Sequence, residues 1–145
     1  MTDVEAPAAL TLRRVLPATP EEVFDAWTNP DSVRQWLCPF DTVVSRADMD
    51  VRVGGKYRVD MKGAEKTYDH AGQYLEIDPP RRLVFTWISA GTNRETSQVT
   101  VELRAVEGGT ELTLTHEGLP GANAVEDHGR GWTGALDNLQ EVLSR

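Results

Sequence analysis

The sequence predicts an α+β domain in which an antiparallel sheet with one wet face packs on a single long C-terminal helix. Three observations carry that prediction. From Thr42 to Pro120 the chain is a series of short alternating runs broken by Gly, Pro and Asp, the pattern of consecutive antiparallel strands with one buried face. From Asn123 to Arg145 the period changes. Val125, His128, Trp132, Leu136, Leu139 and Leu143 recur at spacings of three and four, with Ala135 and Val142 beside them. A lone helix with so wide an apolar face must bury it, and the upstream chain supplies mostly strands, so its partner is a sheet.

Residues 1–9, acidic and rich in Pro and Ala, read as a flexible N-terminal tail, and residues 10–145 as one domain. Leu10 to Leu16 alternates imperfectly and reads as a first strand. Thr19 is placed to cap a short helix that has Pro20 at its first position and Glu22 at its third, with Val23, Phe24 and Trp27 inward. Asn29-Pro30 breaks it. A second short helix follows, with Val33, Trp36 and Leu37 inward, and Pro39 stops it.

Strands are then expected over 42–48, 56–63, 68–77, 82–89, 97–106 and 111–116. Tyr57, Val59 and Met61 share one face of the second of these; Leu83, Phe85 and Trp87 share a face of the fourth. Gly54-Gly55 and Glu107-Gly108-Gly109 mark turns, the latter a hairpin. At the last helix, Asn123 is expected to cap, with Glu126 in capping-box position. Gly129, Gly131 and Gly134 each cost about 1 kcal/mol relative to Ala inside a helix, which makes sense where the backbone must approach something closely or the first turns are loose.

Composition narrows the function. The 145 residues make one domain with a sizeable core, and the formal net charge of −8 disfavours nucleic acid or an anionic membrane as partner. No apolar run approaches a membrane span and no signal peptide is read at the N-terminus. A single cysteine, Cys38, fits a reducing cytoplasm. Neither a cofactor nor a metal is expected. His70, His116 and His128 have no zinc-motif spacing, and there is no GxSxG, Walker A or GxGxxG sequence.

Five blocks in order carry a family resemblance: PEEVFDAWTNPDSVRQWLCP, RVGGKYRVDM, GQYLEIDPPRRLVFTW, GTELTLTHEGLP and GWTGALDNL. Together, from about Leu10 to the C-terminus, they resemble the AHSA1-like (activator of Hsp90 ATPase homologue) branch of the START/Bet v 1-like SRPBCC superfamily. The resemblance implies a helix-grip fold, in which a curved antiparallel sheet wraps the C-terminal helix and encloses an apolar cavity.

Two readings of the aromatic residues stand side by side. Trp27, Trp36, Trp87, Trp132, Phe85 and Tyr57 are ordinary core packing, or some of them line a pocket between sheet and helix. The candidate wall is Trp36, Tyr57, Val59, Met61, Tyr74, Phe85, Trp87, Val101, Leu114, His116, His128, Trp132 and Leu136. His116, on the inward parity of its strand, is a general acid/base or a satisfied strand-end histidine. His128 is a half-exposed helix histidine or a pocket group. Glu76, sharing parity with Tyr74, and Arg52 form a structural ion pair or a polar clamp on a ligand.

The expected partner is a small hydrophobic or aromatic molecule. Two alternatives accompany it. The resemblance brings a chaperone interaction, although it covers only the second domain of the eukaryotic Hsp90 co-chaperone and not the larger N-terminal domain that contacts the chaperone. It also brings a cyclase- or aromatase-like enzyme, for which His116, Glu76 and Arg52 are the candidates.

Overall fold

The computed structural model describes residues 8–145. The strands are β1 (Ala8–Leu16), β2 (Val43–Met49), β3 (Lys56–Lys62), β4 (Thr67–Asp78), β5 (Arg82–Trp87), β6 (Ser97–Val106) and β7 (Gly109–Leu119). The helices are α1 (Pro20–Thr28), α2 (Pro30–Trp36) and α3 (Ala122–Leu143), and a 3-10 turn occupies Ala90–Thr92. All seven strands form one curved, open antiparallel sheet in the order β1-β7-β6-β5-β4-β3-β2. The expected tail overlaps the sheet at Ala8 and Ala9, which belong to β1; its other residues lie outside the described ones.

The two edge strands, β1 and β2, are consecutive in sequence, so α1 and α2 must span the sheet from one edge to the other. Local chemistry fixes that crossing. Glu22 N–H donates to Thr19 Oγ1 at 3.2 Å while Thr19 N–H donates to Glu22 Oε1 at 3.1 Å, a complete capping box at the start of α1. Asn29 ends α1 and begins α2, its Oδ1 accepting from Asp31 N–H at 3.0 Å. The helices meet through Trp27 and Trp36, edge to face at 4.6 Å, and Trp36 Nε1 donates to the Ala26 carbonyl at 2.9 Å. At the far end of the sheet, Gly108 and Gly109 take φ of 88° and 147°, so the β6–β7 hairpin uses backbone angles that other residues resist.

The long helix lies across the concave face and buries Ala124, Trp132, Ala135, Leu136 and Leu139. Asn138 Nδ2 donates to the carbonyls of Trp36 (3.4 Å) and Cys38 (3.1 Å), and Arg14 pairs with Asp137 at 2.5 Å. These contacts hold α3 to α2 on one side and to β1 on the other.

The start of α3 differs from the sequence expectation. The cap is Gly121, at φ 99°, with no side-chain bond, because Gly118 and Gly121 turn the chain out of β7 two residues sooner than an Asn123 cap allows. Glu126 instead pairs with Arg130 one turn on, at 2.9 Å. The glycines also divide. A Cβ on Gly134 would lie 3.3 Å from Pro39, a close approach to the segment after α2, whereas one on Gly129 or Gly131 would meet nothing within 4 Å.

Leu136 and Leu139, at most 1% exposed, anchor the helix in the core. Replacing either with Ala is expected to cost about 2–5 kcal/mol, read as a lower denaturant midpoint. Midpoints within a few tenths of a kcal/mol of wild type would show that these side chains do not carry the helix–sheet contact.

Candidate functional site

The sheet does not close fully on α3. Between them, toward the β3–β4 side, lies a cavity of about 410 Å³. Its sheet wall is Met61 from β3, His70 from β4 and Trp87 from β5. Its helix wall is His128, Gly131, Trp132 and Ala135, where two small residues alternate with two large ones. Leu37 and Pro39 close one end, and Ser89, Ala90 and Gly91 another. The rim is polar. Arg94 holds Asp69 through two bonds, at 2.8 and 2.9 Å, and this pairing keeps the Asp69 carboxyl down at about 2. Lys66 lies 4.8 Å over the Tyr68 ring.

A hydrogen-bonded relay fixes the deepest wall. Trp132 Nε1–H on α3 donates to His116 Nδ1 on β7 at 3.0 Å. An indole N–H only donates, so Nδ1 is bare and the proton of the neutral imidazole is on Nε2. Nε2–H in turn donates to Ser97 Oγ on β6 at 2.8 Å, and the Ser97 hydroxyl donates to the Trp87 carbonyl on β5 at 2.6 Å. One chain of polar contacts therefore joins the helix to three neighbouring strands, and it ends at the two residues whose rings, 5.1 Å apart, face the cavity from helix and sheet.

A second proton on His116 would remove the acceptor Trp132 needs, and His116 is fully buried. Burial, with His128 at 4.9 Å ring to ring, drives its pKa down to about 3. Burial also lowers the pKa of His70, whose ring lies 4.7 Å from that of Trp87 at a tilt of 40°.

The predicted wall residues separate into three groups. Met61, Trp87, His128 and Trp132 face the cavity. Trp36, Tyr57, Val59, Tyr74 and Phe85 face a second void of about 30 Å³, deeper toward α1 and α2, which Trp87 and Trp132 also line. Val101, Leu114 and Leu136 face neither and are core; His116 stands behind the wall rather than in it. The Glu76–Arg52 pairing is corrected. A bulge between Tyr74 and Glu76 reverses the parity of β4, so Glu76 turns outward to Arg82 (3.2 Å), while Arg52 pairs with Asp50 (2.8 Å).

His70, Asp69, Arg94, Ser89 and Gly91 also line the cavity, beyond the wall that the sequence predicts. His70 was readable, since it shares the inward parity of Tyr74. Arg94, in a loop at φ 60°, carries no periodic signal.

Residues 17–144 match the family described as Activator of Hsp90 ATPase homolog 1-like protein. The chain belongs to that family. The match starts at Pro17, just past β1, rather than at Leu10. No curated protein matches this AHSA1-like chain.

Among solved structures, protein CV1439 from Chromobacterium violaceum is 28% identical, with a TM-score of 0.87, the alignment covering 94% of this chain and 97% of that one. A protein from Rhizobium leguminosarum is 29% identical, with a TM-score of 0.81, covering 96% and 95%. An AHSA1-like protein from Aeromonas hydrophila, at 21% identity and a TM-score of 0.78 over 94% and 92%, shows the shared fold alone. The AHSA1-like chain thus has the helix-grip fold of the START/Bet v 1-like superfamily. No helix among its described residues is long and apolar enough to cross a membrane.

The relay makes a pH prediction. Above roughly pH 6.5, His116 is neutral folded or unfolded. Below that, the unfolded chain takes up a proton that the folded chain refuses until about 3, so stability falls as pH falls through this window. The slope from this one group is at most about 1.4 kcal/mol per pH unit. His116→Gln keeps an acceptor for Trp132 and a donor for Ser97 but does not titrate. Between about pH 6 and about pH 4 its stability should decline less steeply than that of wild type, measured by urea unfolding. Equal slopes would mean that His116 is not held neutral.

Proposed function

We propose that this protein binds a small, flat, hydrophobic or aromatic molecule in the cavity between the sheet and α3. One observation carries the proposal: about 410 Å³ of space enters a domain whose other interior void is only about 30 Å³, and paired indoles face the larger space from opposite walls. That volume lies within the roughly 300–1,000 Å³ of small-molecule sites, which are mostly apolar with a few placed polar groups. The lining fits this description, with Met61, Trp87, Trp132, Leu37 and Ala135 providing the apolar surface.

The cavity is held open rather than left over. Trp132, buried against the rings of Trp27 and Trp87, is tied through His116 and Ser97 to the backbone of β5. Gly131 and Ala135, one residue before and three after Trp132 on the helix, keep the opposite wall low. A preformed site of this kind spares the ligand most of the cost of ordering side chains. The Trp87 indole N–H is buried without an acceptor among the described residues, so a ligand oxygen in reach of it would relieve roughly 1–3 kcal/mol of desolvation cost.

A flat hydrophobic compound bound here should quench tryptophan emission. It should also raise thermal stability, by about 2.7 kcal/mol at a hundred times its dissociation constant. Trp87→Phe and Trp132→Phe should each lose much of the quenching, and Trp27→Phe should keep it, since Trp27 faces the deeper void instead. A panel of such compounds giving neither quenching nor a melting shift would overturn the proposal and favour an interaction module in its place.

A further inference from the structure

The chain has three histidines, and the fold gathers all of them around one cavity. His116 has both ring nitrogens engaged. His70 and His128 do not. His70 Nδ1 lies 3.3 Å from the Val59 carbonyl and His128 Nδ1 lies 2.8 Å from the Ala124 carbonyl. A carbonyl only accepts, so in each neutral ring the proton is on Nδ1 and Nε2 carries a bare lone pair. Neither Nε2 has a hydrogen-bond partner among the described residues, and both rings line the cavity.

The surroundings keep these acceptors available. Gly91, on the 3-10 turn, faces the outer edge of His128. A Cβ there would lie 3.0 Å from Cε1 and 3.4 Å from Nε2, so any larger residue would press on the edge that Gly91 leaves open. The rim carboxylates are already engaged, Asp69 by Arg94 and Asp127 by Arg130. A donor entering the cavity therefore meets imidazole nitrogens that no protein group has claimed.

We infer that the cavity selects a flat apolar molecule carrying a neutral hydrogen-bond donor, a phenolic O–H or a ring N–H, which Nε2 of His70 or His128 receives. This rests on the reading of the cavity as a ligand site. The same molecule with a methyl group in place of the donor would strip water from the imidazole lone pair and return nothing. A cationic donor would have to shed its hydration among the indoles, a larger loss than one neutral acceptor offsets.

Isothermal titration with 2-naphthol and 2-methylnaphthalene, which match in shape and differ in the donor, tests the inference. Wild type should bind 2-naphthol roughly tenfold more tightly, the worth of one well-placed hydrogen bond. In the His70→Phe/His128→Phe double variant, with folding checked by its melting transition, the two compounds should bind alike. Equal affinities in wild type would overturn the inference while leaving the cavity a ligand site, and this comparison decides the matter even where the double variant does not fold. A preference for 2-naphthol that survives in a folded double variant would also overturn it, because the donor would then be received elsewhere. Binding of neither compound would sink the ligand-site reading and this inference with it.

Discussion

The interaction on which this structure depends is the relay from Trp132 through His116 and Ser97 to the Trp87 backbone. A buried imidazole is costly unless both nitrogens are satisfied, and a buried indole N–H needs an acceptor. Here each answers the other, and the hydroxyl of Ser97 closes the chain on a carbonyl. Every proton in it is assigned by its partners, so there is one tautomer and one ring orientation. The relay crosses from α3 to β7, β6 and β5, which makes it both the clasp between helix and sheet and the support of the cavity wall.

The cavity follows from topology as much as from side chains. Because β1 and β2 lie on opposite edges, α1 and α2 must cross beneath one end of α3, and they fill that end with Trp27, Trp36 and Phe24. The other end, over β3, β4 and the 3-10 turn, has no such cover. Trp87 and Trp132 stand between the two regions and line both the open cavity and the small void behind it. Trp132 is tethered; among the described residues neither Trp87 nor Trp27 has an acceptor for its indole nitrogen, each such buried donor costing about 1–3 kcal/mol.

The fold was legible because its signals are periodic. The alternation of Tyr57, Val59 and Met61, the three-four spacing of Trp132, Leu136 and Leu139, and the Thr19–Glu22 box each encode a local geometry that the tertiary structure keeps. The site was only partly legible. Periodicity tells which face of an element is inward, but inward residues can meet core or empty space, and Leu114 and Trp87 look alike until the sheet is curved. Glu76 was misplaced by a bulge that inserts a parity change no residue pattern announces. Arg94 and Gly91 come from a loop, where position is set by tertiary contacts. The Asn123 cap failed for a related reason, since two glycines upstream set where the chain leaves β7.

Membership in the AHSA1-like family accounts for the architecture and leaves the choice of ligand to the cavity's own chemistry. That chemistry turns on where three imidazole protons reside, which nitrogen-15 NMR of the histidine rings reads directly. Near neutral pH, His116 should show its proton on Nε2 and keep it there, unprotonated on Nδ1, down to about pH 4, and the neutral forms of His70 and His128 should show theirs on Nδ1. A His116 ring with its proton on Nδ1, or one already imidazolium at about pH 5, would contradict the relay and the wall built on it.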